Sequence, residues 1–165
     1  MFNNLKISKS QQINNIVVYF LKSHSQRRKN YLNLSKGLND NSIGINELEG
    51  TGYRDLLKVN NTSNENLLLV NGEQIIGHQV KQNRVVASTS LVQSNSEAIV
   101  YVSCGEKNRW SPSTNEELKT ADTMFFSRNT LGDQNLLWSQ IDKQLDYYGI
   151  KSFTKNAAQV YDKNN

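Results

Sequence analysis

The chain has 165 residues with 19 Lys and Arg against 15 Asp and Glu, a formal net charge of +4, 36% hydrophobic residues and one cysteine. This length fits one domain, the spread of Leu, Ile, Val, Tyr and Phe excludes wholesale disorder, and the lone Cys104 excludes an internal disulfide and makes a reducing, cytoplasmic setting the expectation. The modest positive charge admits an anionic ligand without demanding nucleic acid: apart from Gln26-Arg27-Arg28-Lys29 the basic residues are scattered, and no basic helix or aromatic strand motif accompanies them.

Residues 1–14 are polar and Asn-rich and read as a flexible arm, with a single α+β domain expected over 15–162. Ile16-Val17-Val18-Tyr19-Phe20-Leu21 is a β-branched and aromatic run that predicts a strand buried on both faces. It is too short to cross a bilayer, and no basic-then-apolar signal pattern precedes it, so no membrane partner is expected. Leu32, Leu34 and Leu38 fall at near-helical spacing and stop at Asn39-Asp40-Asn41, which predicts a short helix. Ile43 to Leu48 and Leu56 to Val59 read as strands around Gly50-Thr51-Gly52.

The most pointed local signal is Leu67 to Val70, Asn71-Gly72, Glu73 to Ile76: two β-prone runs joined by a dipeptide that tolerates positive φ, predicting a type I′ hairpin. A second hairpin is expected, Arg84 to Val92 against Ala98 to Ser103, with its turn centred on Asn95 so that Val86 faces Cys104 and Thr89 faces Tyr101. Pro112 pins the chain after Trp110-Ser111, and Ser113 to Glu117 resembles a helix start. Asp133 caps a predicted helix in which Leu137, Ile141, Leu145 and Tyr148 repeat at helical spacing, with Gly149 as its exit. A last helical segment is expected around Lys155 to Tyr161. The architecture expected is therefore antiparallel hairpins in one or two sheets, with the C-terminal helix packed on a face.

Two polar clusters, Gln82-Asn83-Arg84 and Cys104-Gly105-Glu106-Lys107-Asn108-Arg109-Trp110, bracket the second hairpin. Folding it up brings Arg84 opposite roughly Glu106, so that both clusters converge on one candidate site. The two histidines, His24 and His78, and the single cysteine offer no metal-ligand spacing, and no metal or cofactor is expected.

Tyr31-Leu32 with Leu34, Leu69 to Gly77, Gln82-Asn83-Arg84, Val102 to Glu106, Arg109-Trp110, Leu137-Trp138 and Ser152-Phe153-Thr154, taken in order, resemble the ADP-ribosylglycohydrolase and rhodanese-phosphatase-associated protein domain family. One departure is the longer link, His78-Gln79-Val80-Lys81, between Gly77 and Gln82. The resemblance implies a β-rich α+β domain of bacterial or phage conflict systems that senses or processes NAD-derived or ADP-ribose-like nucleotides. On that footing Arg84 and Arg109 offer planar donor forks to a pyrophosphate, Trp110 stacks a ring, Glu73 and Glu106 accept from ribose hydroxyls, and Gln82 and Asn83 read a base or amide edge.

Two other readings stay open. Glu106 or Glu73 can serve as acid or base in a hydrolase, with Cys104 as a thiolate nucleophile in a variant of that idea. Alternatively the cluster is structural, its arginines and acids held in ion pairs, and the domain is a protein-interaction module. A homo-oligomer or a protein partner fits either of these.

Overall fold

The computed structural model describes residues 5–23, 30–48, 55–77, 82–109, 119–121, 130 and 132–162. The chain divides into two compact units, Met1–Asn30 and Tyr31–Asn165. In the first, β1 (Leu5–Ile13) pairs antiparallel with β2 (Ile16–Ser23) around Asn14, whose φ of 52° makes the tight reversal. A strand therefore stands where a loose arm was expected. The β2 run is a strand as predicted, but it is exposed along its length, Tyr19 and Leu21 each at 58%. A two-stranded ribbon has no further layer in its own unit to cover either face.

The second unit is α+β, and its order begins β3 (Tyr31–Asn33), α1 (Leu34–Asn39), β4 (Ile43–Glu47), β5 (Leu56–Asn61), β6 (Asn66–Leu69) and β7 (Gln74–Ile76). It continues with β8 (Arg84–Val86), β9 (Ser90–Val92), β10 (Ser96–Cys104), β11 (Lys119–Ala121), α2 (Gln134–Tyr147) and α3 (Gln159–Asp162). Six strands form one sheet in the order β11-β7-β8-β10-β5-β4, and β3-β6-β9 form another. The smaller sheet contains a parallel pair, β3 with β6, beside its antiparallel one. Alternation along β5 and β6 buries Leu57, Val59, Leu67 and Leu69. These join Ile45, Ile75, Val86, Val92, Val100 and Val102 in one core fed by both sheets and by α1.

Both expected hairpins are corrected by this topology. The runs flanking Asn71-Gly72 do not pair with each other: β6 belongs to the smaller sheet and β7 to the larger, and the turn carries the chain between them. Glu73 N donates to Val70 O at 3.0 Å, and of the two central residues only Gly72 has a positive φ, 96°. That is the pattern of a type II turn, whereas a type I′ turn needs both residues left-handed. The second hairpin forms only at its base. Val86, Val85 and Arg84 pair with Val102, Ser103 and Cys104, a register two residues from the expected one. Beyond Ala87, whose N still donates to Tyr101 O at 3.0 Å, the chain leaves the ladder, and β9 crosses to pair with β6 while the first part of β10 pairs with β5. The reversal at Asn95, φ 50°, is where the sequence placed it.

Helix α2 follows the local signals. Asp133 accepts from Asn135 N and Leu136 N, Leu137, Ile141 and Leu145 are buried, and Gly149 exits at φ 63°. Tyr148 is 40% exposed and lies outside this core. The helix packs with Val85, Ala157, Val160 and Ile150 in a second cluster. Since neighbours on a strand point to opposite faces, Val85 turns to α2 while Val86 turns to the main core. The C-terminal helix on a face of the larger sheet is thus as expected. Pro112 and Ser113 to Glu117 lie outside the described residues.

Candidate functional site

The base of the β8–β10 ladder positions the polar clusters. Gly105 N donates to Asn83 O at 2.7 Å, carrying the pairing one step past Cys104. A Cβ on Gly105 would stand 3.2 Å from that carbonyl oxygen and 3.3 Å from Val85 Cγ2, so the close approach of the two strands favours glycine here. Gln134, the first residue of α2, accepts from Cys104 N at 2.6 Å and donates to Cys104 O at 3.0 Å. Its side-chain amide does there what a neighbouring strand would do.

On the α2 side of the sheet Glu106 organises a buried network. Its Oε2 accepts from Arg109 Nε at 2.7 Å and from Asn83 N at 3.1 Å. Arg109 Nη2 donates to Asn83 Oδ1 at 3.0 Å, and Asn83 Nδ2 donates to Asn156 Oδ1 at 3.1 Å. Glu106, Asn83 and Gln82 are nearly sealed, while the Arg109 side chain keeps 17% of its surface. Gln82 Nε2 donates to Arg109 O, and its Oε1 is buried with no hydrogen-bond partner.

The Ser152-Phe153-Thr154 segment holds the loop that carries these residues. Thr154 O accepts from Lys107 N at 2.9 Å, and Phe153 O accepts from Asn108 Nδ2 at 2.8 Å. Ser152 Oγ accepts from Asn156 N, which fixes the asparagine that Asn83 reaches. Trp138, on α2, is partly buried against the second cluster, with Lys107 Nζ 5.7 Å from its ring centroid.

Arg84 belongs to a different network. It pairs with Cys104 across the ladder and turns, like Val86, to the side away from α2. Its Nη2 donates to Glu47 Oε1 at 2.7 Å and its Nη1 to Cys104 Sγ at 2.8 Å, with the residue only 5% exposed. The single patch expected from Gln82 to Arg109 therefore resolves into two networks on opposite faces of the sheet. Alternation along β8 and the end of β10 are the cause: Arg84 shares a face with its partner Cys104, whereas Glu106 lies past the last residue of β10 and is bonded by Asn83 instead. Each guanidinium is neutralised by a carboxylate, and Arg84 has the surroundings of a structural ion pair.

Glu73 stands apart, beside the turn between the sheets, where its Oε2 accepts from Val70 N at 2.8 Å. Burial pushes its carboxyl up from the ordinary value, the Val70 hydrogen bond offsetting part of the effect. Burial also pushes the Cys104 thiol up, with Arg84 opposing, which favours the neutral thiol over a nucleophilic thiolate. Among the described residues no group of three or more His, Cys, Asp or Glu is placed to hold a metal ion. Trp110, His24, His78 and Arg27 to Lys29 lie outside the described residues.

Sequence reasoning missed Glu47, Gln134 and Asn156. Glu47 closes β4, and its only outward sign was a carboxylate ending a strand. Gln134 stands directly after the predicted cap, a place that reads as an ordinary first-turn residue. Asn156 is close to the recognised Ser152-Phe153-Thr154 motif without being part of it.

A family model described as the ARG and Rhodanese-Phosphatase-superfamily-associated Protein domain, ARPP-1, matches residues 4–165. In substance this is the family that the motifs resemble, under a somewhat different wording. Comparisons with curated proteins and with solved structures gave no match.

Proposed function

The chain belongs to the ARPP-1 family, which is associated with ADP-ribose-related enzymes, and from this premise we propose that it recognises an NAD-derived or ADP-ribose-like nucleotide at the rim formed by Gln82, Glu106 and Arg109. The observation that carries this reading is the buried, unpartnered Oε1 of Gln82 next to the part-exposed Arg109. A buried amide oxygen without a donor costs about 1–3 kcal/mol, and an exocyclic amine or carboxamide N–H of a ligand would supply one. Arg109 is the phosphate-facing cation of this rim, and Trp110, next in sequence, is the stacking candidate. Asn83 spends both ends of its amide on Arg109 and Asn156, so its task is to hold the rim in shape.

In a bacterial or phage conflict such a domain would sequester the nucleotide in the cytoplasm or report it to a partner. A hydrolytic reading is favoured by one observation, the raised carboxyl of Glu73, a condition suited to a general acid.

The test is to incubate the full chain with ADP-ribose, NAD and their cyclic derivatives, follow melting, and recover the ligand by chromatography after denaturation. A ligand at a hundred times its Kd stabilises by about 2.7 kcal/mol. For a domain of this size that raises Tm by about 5–10 °C. Intact ligand supports recognition, and a new product supports hydrolysis. No shift across the panel at saturation points to the interaction-module reading and overturns the proposal.

A further inference from the structure

A cleft of about 320 Å³ opens on the α2 face of the larger sheet, lined by Asp55, Ala87, Ser88, Tyr101, Ser103 and Gly132. Tyr101 and Ser103 are alternate residues of β10 and so share that face, and Gly132 stands just before the Asp133 cap of α2. Ser103, only 5% exposed as a residue, lines this cleft from β10. Its hydroxyl can both donate to and accept from a polar guest. Tyr101, 64% exposed, lends the mouth a flat aromatic surface.

The lining chemistry selects the guest. Among the described lining residues there is one carboxylate, Asp55, and no cation, which disfavours a phosphate. A carboxylate accepts from two adjacent hydroxyls at once, serine hydroxyls donate and accept, and a phenol ring stacks on a flat heterocycle. The volume lies at the small end of ligand pockets. We propose that this cleft is a second binding site, for a neutral nucleoside: Asp55 and Ser103 hold the vicinal ribose hydroxyls and Tyr101 covers the base. The site is distinct from the Gln82–Arg109 rim and does not depend on what binds there.

Adenosine titrated into the full chain by isothermal calorimetry tests the inference, beside 2′,3′-dideoxyadenosine and the variants Asp55→Asn and Ser103→Ala. Saturable adenosine binding is expected, weakened at least about tenfold by removal of the two sugar hydroxyls and by Asp55→Asn, which is one decade in Kd. Ser103→Ala is expected to weaken it about threefold or more while Tm stays within about 2 °C. Equal binding of the two nucleosides, or no adenosine binding by wild type, overturns the proposal without any variant having to fold. An ADP-ribose response at Gln82 and Arg109 with none to adenosine removes the cleft alone and leaves the rim reading standing.

Discussion

Replacing Glu106 by alanine removes the acceptor on which the α2-side network turns. Two donors are stranded: Asn83 N, which bonds Oε2 at 3.1 Å, and Arg109 Nε, which bonds it at 2.7 Å. A buried N–H left without a partner costs about 1–3 kcal/mol, and breaking a buried ion pair about 3–5 kcal/mol. The second figure must be discounted, because the Arg109 side chain is 17% exposed and its Nη2 keeps Asn83 Oδ1. We therefore expect a total loss of about 3 kcal/mol, which lowers Tm by about 6–12 °C. Urea denaturation of wild type, Glu106→Ala, Arg109→Met and the double variant measures it, and the cycle should return a coupling of about 1–3 kcal/mol between the two side chains. Glu106→Gln, which keeps an acceptor oxygen, should lose clearly less than alanine. A Glu106→Ala cost within about 0.5 kcal/mol with an additive cycle refutes the network, since that is how an ordinary surface position behaves.

Glu47→Ala leaves the buried Arg84 guanidinium short of its carboxylate and is expected to cost about 3 kcal/mol or more, whereas the paired change Arg84→Met with Glu47→Leu should come within about 1 kcal/mol of wild type in the same denaturation assay. Burial raises the folded pKa of Glu73 above the ordinary carboxylate value, so the folded state holds its proton more tightly and stability falls as pH rises from that ordinary value through the folded pKa. Glu73→Gln should remove this decline, and stability curves of the two proteins that stay parallel from pH 4 to 8 would contradict the assignment. Cys104 is 5% exposed with its thiol pushed up by burial, so a disulfide reagent at pH 7.5 should label the native protein at least about a hundredfold more slowly than the urea-unfolded chain. Fast native labelling would revive the thiolate reading.

What could be read from the sequence was mostly local. The cap, period and exit of α2 lie within seventeen residues of one another, from Asp133 to Gly149, and each acts on its own neighbourhood. The short helix after Leu32 and the strands Ile43–Glu47 and Leu56–Asn61 were visible for the same reason. Pairing was not. Asn71-Gly72 allows a turn whether the flanking strands pair with each other or enter different sheets, and the burial of Leu67, Leu69 and Ile75 in one shared core decides the matter. Likewise nothing local marks where the β8–β10 ladder ends. That depends on Leu67 and Leu68 meeting Val92 and Leu91 across the smaller sheet. The candidate residues were legible as types in clusters. Their division between two faces followed from the alternation of Asn83 and Arg84 and from β10 ending at Cys104, before Glu106, an end point that sequence alone does not fix.

Titration of isotopically labelled protein with ADP-ribose, followed through the side-chain amide of Gln82 and the Nε–H of Arg109, addresses the recognition claim at the atoms it names. Saturable shifts of both resonances are the expected result. Saturation of the ligand with neither resonance moving, or with shifts confined to residues away from Gln82, Glu106 and Arg109, contradicts it.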